Sequence, residues 1–151
     1  YEISACLVGS EMCIRDSVYS EQDVTYLCPA CIANGEAASK FDATFVQGAD
    51  KLATDDAKKD EELFERTPGY ESWQGEHWVV CCDDYCAFLG DVGTKELEEL
   101  GIADEVFDDY AKRDDYDAKM ARELLVAGGD FAGYLFRCLH CKKYHIYIDA
   151  C

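Results

Sequence analysis

Six of the ten cysteines fall into three short-spaced pairs, Cys28-Pro-Ala-Cys31, Cys82-Asp-Asp-Tyr-Cys86 and Cys138-Leu-His-Cys141. A structural zinc site takes four N or S ligands in a tetrahedron, and close cysteine pairs supply them two at a time. Two pairs therefore complete one Zn²⁺ site, and the third pair is half of another. The grouping argues for metal. Disulfide frameworks of small secreted domains scatter their cysteines, whereas these sit close together in turn-like sequence. In a Cys-x-x-Cys turn, backbone N–H groups after the first cysteine point back at its sulfur and stabilise thiolate charge. A lone redox pair would instead sit beside a βαβ unit, and the sequence shows no such unit.

Chain order alone allows any two of the three pairs to share a metal. Strong strand signals lead into Cys82 and Cys138, which favours Cys82, Cys86, Cys138 and Cys141 together. Cys28 and Cys31 then form a separate half-site. Neighbouring side chains on a strand point to opposite faces, so Cys81 is expected to pack in the core while Cys82 faces the metal. Cys151 has no expected role. His140, between two ligand cysteines, is expected to face solvent.

The rest of the chain reads as α+β, with short antiparallel strands joined by zinc knuckles and acidic helices packed outside. Val24 to Leu27 reads as a strand entering the first knuckle. Glu36 to Phe41 is a short helix or turn that carries Phe41 and Phe45 inward, and a helix is expected around Asp60 to Arg66. Trp78-Val79-Val80 suits a buried strand. Thr94 is expected to N-cap a helix with Glu96, Glu98 and Glu99 near its start. Apolar residues recur at helical spacing from Asp104 to Ala127, and the almost wholly charged middle, Lys112 to Asp117, reads as a break or an exposed bulge. The segment from Tyr134 to Ile148 reads as a β-hairpin whose tip is the Cys138/Cys141 knuckle.

Residues Tyr1 to Ser17 differ in character. The stretch Ser10-Glu-Met-Cys-Ile-Arg-Asp-Ser17 resembles translated sequencing-adapter read-through, and Cys6 and Cys13 lack knuckle spacing. Residues 1–17 are therefore set aside as a non-native segment, and residues 18–151 are read as one domain. The formal net charge is −18, and −16 without that segment, so the acidity belongs to the domain. Such a polyanion is poorly suited to nucleic acid, where neutralising phosphates dominates affinity. It suits a basic partner instead. No run approaches the length of a membrane span, and no signal peptide is visible, so a cytoplasmic protein is expected.

Five stretches carry a family resemblance: Val18-Tyr-Ser-Glu21, Cys28 to Asp42, Glu65 to Gln74, Cys82 to Phe88, and Gly133 to Cys141. On these the chain resembles the bacterial CbrC family, named for a colicin-tolerance protein. The resemblance implies a further cysteine motif upstream of Val18 as the partner of Cys28 and Cys31. The chain departs from that family's pattern at Asp83 and Lys142, where it tends to have glycine. The expected function is that of a zinc-stabilised acidic binding protein without chemistry of its own, engaging a basic protein. A nuclease-type toxin is suggested by the family name alone. The alternative is a zinc hydrolase or thiol-redox enzyme using an aromatic pocket around Trp73, His77 and Trp78. No Ser-His-Asp, His-Glu-x-x-His or phosphate-cradling motif accompanies it.

Overall fold

The computed structural model describes residues 18–22, 24, 27, 29–50, 56–113 and 117–151. The chain is α+β and divides into two compact units, Tyr1–His77 and Trp78–Cys151.

In the first unit, α1 (Pro29–Ala33) and α2 (Glu36–Phe41) enclose a small core. It is made by Leu27, Cys31, Ile32, Ala37, Ala38, Phe41, Ala43 and Phe45. Pro29 opens α1, where its missing N–H removes no helical hydrogen bond. Strand β1 (Gly48–Ala49) and helix α3 (Ala57–Arg66) follow. The Asp56 carboxylate caps α3 by accepting from Lys58 N at 3.0 Å. The unit ends at β2 (His77–Trp78), which pairs with β1 and reaches the boundary. Glu76 is buried just before it. Its carboxylate accepts from the Tyr19 hydroxyl at 2.6 Å and from Gln47 N at 3.3 Å. Burial and this neighbouring carboxylate both push the Tyr19 phenol above its ordinary range. Thr25, Tyr26 and Cys28, in the expected first strand and knuckle, lie outside the described residues.

The second unit begins with a tight hairpin, β3 (Val80–Cys81) and β4 (Asp84–Tyr85), in which Cys81 pairs with Asp84. A three-stranded antiparallel sheet follows in the order β5 (Ala87–Val92), β6 (Phe131–Arg137), β7 (Tyr144–Ala150). The helices α4 (Thr94–Glu99), α5 (Ala103–Arg113) and α6 (Ala118–Leu124) lie between β5 and β6 in the chain. Their apolar stripes, with Leu97, Val106, Phe107, Tyr110 and Ala121, pack on Val92, Leu135 and Ile146 of the sheet. Five consecutive residues of β6, Ala132 to Phe136, are buried. The central strand is thus covered on both faces and loses the usual alternation. Its Gly133 is required by close approach, because a Cβ there would sit 2.8 Å from both Ile146 Cδ1 and Val92 O. Phe136 packs against Trp78 and Phe88, with ring centroids 5.4 Å from each.

One local expectation is narrowed and another changes. The helical stretch from Asp104 to Ala127 is two helices, and Asp117 caps the second by accepting from Lys119 N at 3.0 Å and Met120 N at 3.2 Å. Gly93, not Thr94, is the N-cap of α4. A side chain at Gly93 would meet Ala127 N at 2.7 Å. The cap interaction therefore comes from Glu96, which accepts from Gly93 N at 2.8 Å, while the Thr94 hydroxyl donates to Arg122 O.

Candidate metal centre

Four cysteines meet in the second unit: the Sγ atoms of Cys81, Cys82, Cys138 and Cys141 all lie within 4.8 Å of one another. Two turns deliver them. The first is the β3–β4 turn, whose two central residues, Cys82 and Asp83, have φ of 54° and 55°. Positive φ at both central positions is the signature of a type I′ hairpin turn, which matches the strand twist but strains residues other than glycine, asparagine or aspartate. The second is the β6–β7 turn, where Lys142 has φ 62° immediately after Cys141. That turn is closed by Cys138 N donating to Lys143 O at 2.9 Å and Arg137 Nε donating to Lys142 O at 3.0 Å.

The knuckle expected at Cys138 has its characteristic donors. Backbone N–H groups of His140 and Cys141 each donate to Cys138 Sγ at 3.4 Å. Burial pushes the Cys138 thiol up, but these N–H groups and the thiols of Cys141 and Cys81 outweigh it and hold the group down at about 6. Cys81 moves the other way: burial, then the neighbouring sulfurs of Cys138, Cys141 and Cys82, push it well above the ordinary thiol range. Cys82 receives a lowering contribution from Cys81, but its bonds to Cys138 and Cys141 leave it raised. Four thiols in this space cannot all hold negative charge without a cation.

The sulfur spacing fits zinc. A tetrahedron with Zn–S of about 2.3 Å has S···S edges of about 3.8 Å. Cys81 Sγ lies 3.8 Å from Cys82 Sγ and 3.7 Å from Cys141 Sγ. The two turns are also tied outside the sulfur cluster, where His140 Nε2 lies 2.8 Å from Asp84 Oδ2.

The cluster brings together three of the six cysteines expected as ligands, Cys82, Cys138 and Cys141, and adds Cys81 in place of Cys86. Cys86 is buried, with its N–H donating to Val79 O and its carbonyl accepting from the Trp78 indole. Adjacent residues diverge only while both remain in the strand. Cys81 ends β3 and Cys82 is already in the turn, so both sulfurs reach one point. The signal available in sequence was the doublet Cys81-Cys82 immediately before Asp83-Asp84. Cys31 is buried on α1 and disulfide-bonded, and Cys28 lies outside the described residues. Of the residues expected to line an aromatic pocket, Trp73 is half-exposed and His77 Nε2 meets Asp50 Oδ1 at 2.5 Å. Trp78 is a buried core side chain packed on Phe88 and Phe136.

The model of the Uncharacterised protein family (UPF0167) matches residues 2–150. The chain belongs to this family. Among UPF0167 relatives, UPF0167 protein PA1536 of Pseudomonas aeruginosa is 43% identical over 129 residues, 82% of this chain and 70% of that protein. UPF0167 protein Mb2317 of Mycobacterium bovis is 39% identical over 138 residues, 87% of this chain and 73% of that protein. UPF0167 protein MT2352 of Mycobacterium tuberculosis matches with the same identity and extent. These findings correct the expected CbrC membership: the family model and these relatives all carry the UPF0167 name. The colicin association and the upstream cysteine motif implied by that resemblance lose their support. The match also runs through residues 2–17, the segment set aside as non-native. No solved structure matches the chain.

Proposed function

We propose that the chain is a zinc-stabilised binding protein whose acidic surface engages a basic protein, and that the zinc builds structure without catalysing a reaction. The observation that carries the reading is the sulfur spacing, 3.7 and 3.8 Å, against the edge of a zinc–thiolate tetrahedron. Four sulfurs fill the coordination shell, whereas a hydrolytic zinc keeps a position open for water. The acidity is displayed on the exposed surfaces of α4 and α5, where Glu98, Glu99, Asp104, Glu105 and Asp108 lie. No helix among the described residues is long and apolar enough to cross a membrane.

Zinc analysis of the purified chain combined with chelation tests this. The expected result is one zinc per chain, with chelation removing the ion and lowering the melting temperature. Unchanged far-UV circular dichroism and melting after complete metal removal overturns the structural role. A captured partner should be basic, and its affinity should fall as salt rises. A partner of net negative charge overturns that part of the reading.

A further inference from the structure

The sulfur cluster is open to solvent. Cys82 and Cys141 are exposed and Cys81 is half-buried, so of the four only Cys138 is buried. A small oxidant thus reaches thiolates here without unfolding the chain. Cys81 Sγ and Cys141 Sγ stand 3.7 Å apart on two different turns. Closing to a disulfide of about 2.05 Å needs a relative movement of about 1.6 Å. Cys82 is equally near Cys81, but a bridge between chain neighbours closes a small ring that a planar trans peptide resists. Across the two turns no such ring is formed.

We propose that the cluster is a peroxide-responsive zinc centre, in which oxidation joins Cys81 to Cys141 and releases the ion. The ion in this proposal rests on the zinc reading given above. In the first step the exposed Cys141 thiolate attacks one oxygen of hydrogen peroxide. The O–O bond breaks, a sulfenic acid forms, and the departing hydroxide takes a proton to become water. In the second step the Cys81 thiolate attacks that sulfenic sulfur. The S–S bond forms, the S–O bond breaks, and the second hydroxide also leaves as water after taking a proton. Two thiolates, one peroxide and two protons become one disulfide and two waters, and the two electrons lost by sulfur are gained by peroxide. The zinc, left with two of its four sulfur ligands, is released.

The test treats the zinc-loaded full chain with hydrogen peroxide, follows zinc with a chromophoric chelator, and maps disulfides in non-reduced peptides. Zinc release and the Cys81–Cys141 disulfide should rise together, one for one, and reductant plus zinc should restore the starting state. The variant Cys151→Ser should behave identically, because that exposed cysteine lies outside the cluster. Zinc that stays bound while the Cys151 thiol of the unsubstituted chain oxidises overturns the proposal, as does a peroxide-induced disulfide between any other two cysteines of the cluster. A chain that holds no zinc before peroxide overturns the zinc reading instead. In that chain, a Cys81–Cys141 disulfide still supports the sulfur pairing and its absence overturns it.

Discussion

His140 Nε2 and Asp84 Oδ2 are 2.8 Å apart, joining the β6–β7 turn to the β3–β4 hairpin beside the four sulfurs. Each turn supplies two of the clustered cysteines, so this contact fixes the distance between the two halves of the centre. His140 also donates its backbone N–H to Cys138 Sγ. The residue inside the knuckle therefore orients a sulfur with one group and the opposite turn with another.

Replacing Asp84 by Asn removes the charge that faces His140 while keeping the side chain's shape. Groups that orient metal ligands from outside the coordination shell contribute about 10- to 100-fold in affinity. Because His140 is half-exposed, the lower end applies. Asp84→Asn should weaken zinc binding about tenfold, measured by competition with a chelator, with far-UV circular dichroism unchanged. Unaltered affinity would remove the positioning role from this pair.

Strain in the β3–β4 turn gives a second expectation. Asp83 sits at φ 55° in the second central position of a type I′ turn, where glycine is most favoured. Left-handed backbone costs a residue with a Cβ about 1–2 kcal/mol, part of which glycine's greater unfolded-state freedom offsets. Asp83→Gly should raise stability by about 0.5–1 kcal/mol, and Asp83→Val should lower it, in thermal melts at fixed zinc. A destabilised Asp83→Gly variant would contradict the turn assignment.

The pH response of zinc binding follows from the two directions of thiol shift. Zinc binds thiolates, so each thiol still protonated must release its proton on binding. Cys81 and Cys82 are pushed up and release protons throughout the neutral range, whereas Cys138, held at about 6, does so only below that pH. Zinc affinity should therefore fall as pH falls from about 8 to 6.5, with about two or more protons displaced per ion in that window. The slope should steepen below pH 6 as Cys138 joins. A pH-independent affinity over the neutral range would mean that Cys81 and Cys82 are not ligands.

Some of this was legible in the residues. The hairpin carrying Cys138 and Cys141 at its tip declared itself by alternating aromatics and the Cys-x-x-Cys spacing. The segment Glu36 to Phe41, read as a short helix or turn, is a helix with Phe41 buried. Cys82 was expected as a ligand too, but the part played by Cys81 was not legible, because it depends on where β3 ends. Cys-Asp is not a usual type I′ dipeptide, so nothing in the local sequence said that Cys82 had left the strand. A spacing of Cys82 to Cys86 that resembles a knuckle hid the more compact doublet. The cap of α4 was hidden for a similar reason, since Thr94 is a good capping residue and the closeness of the Leu125 and Ala127 backbone, which excludes a side chain at Gly93, is a tertiary contact. The boundary after His77 lies inside an aromatic stretch with no glycine- or proline-rich linker, which left it without a local marker.

The most direct test of the centre compares zinc content in Cys81→Ser and Cys86→Ser, purified side by side. Cys81→Ser should lose its stoichiometric zinc. Cys86→Ser should keep one zinc per chain while losing about 1–3 kcal/mol of stability from a hydroxyl placed in a buried apolar site. Zinc retained by Cys81→Ser and lost by Cys86→Ser would contradict the assignment of Cys81, Cys82, Cys138 and Cys141 as the metal centre.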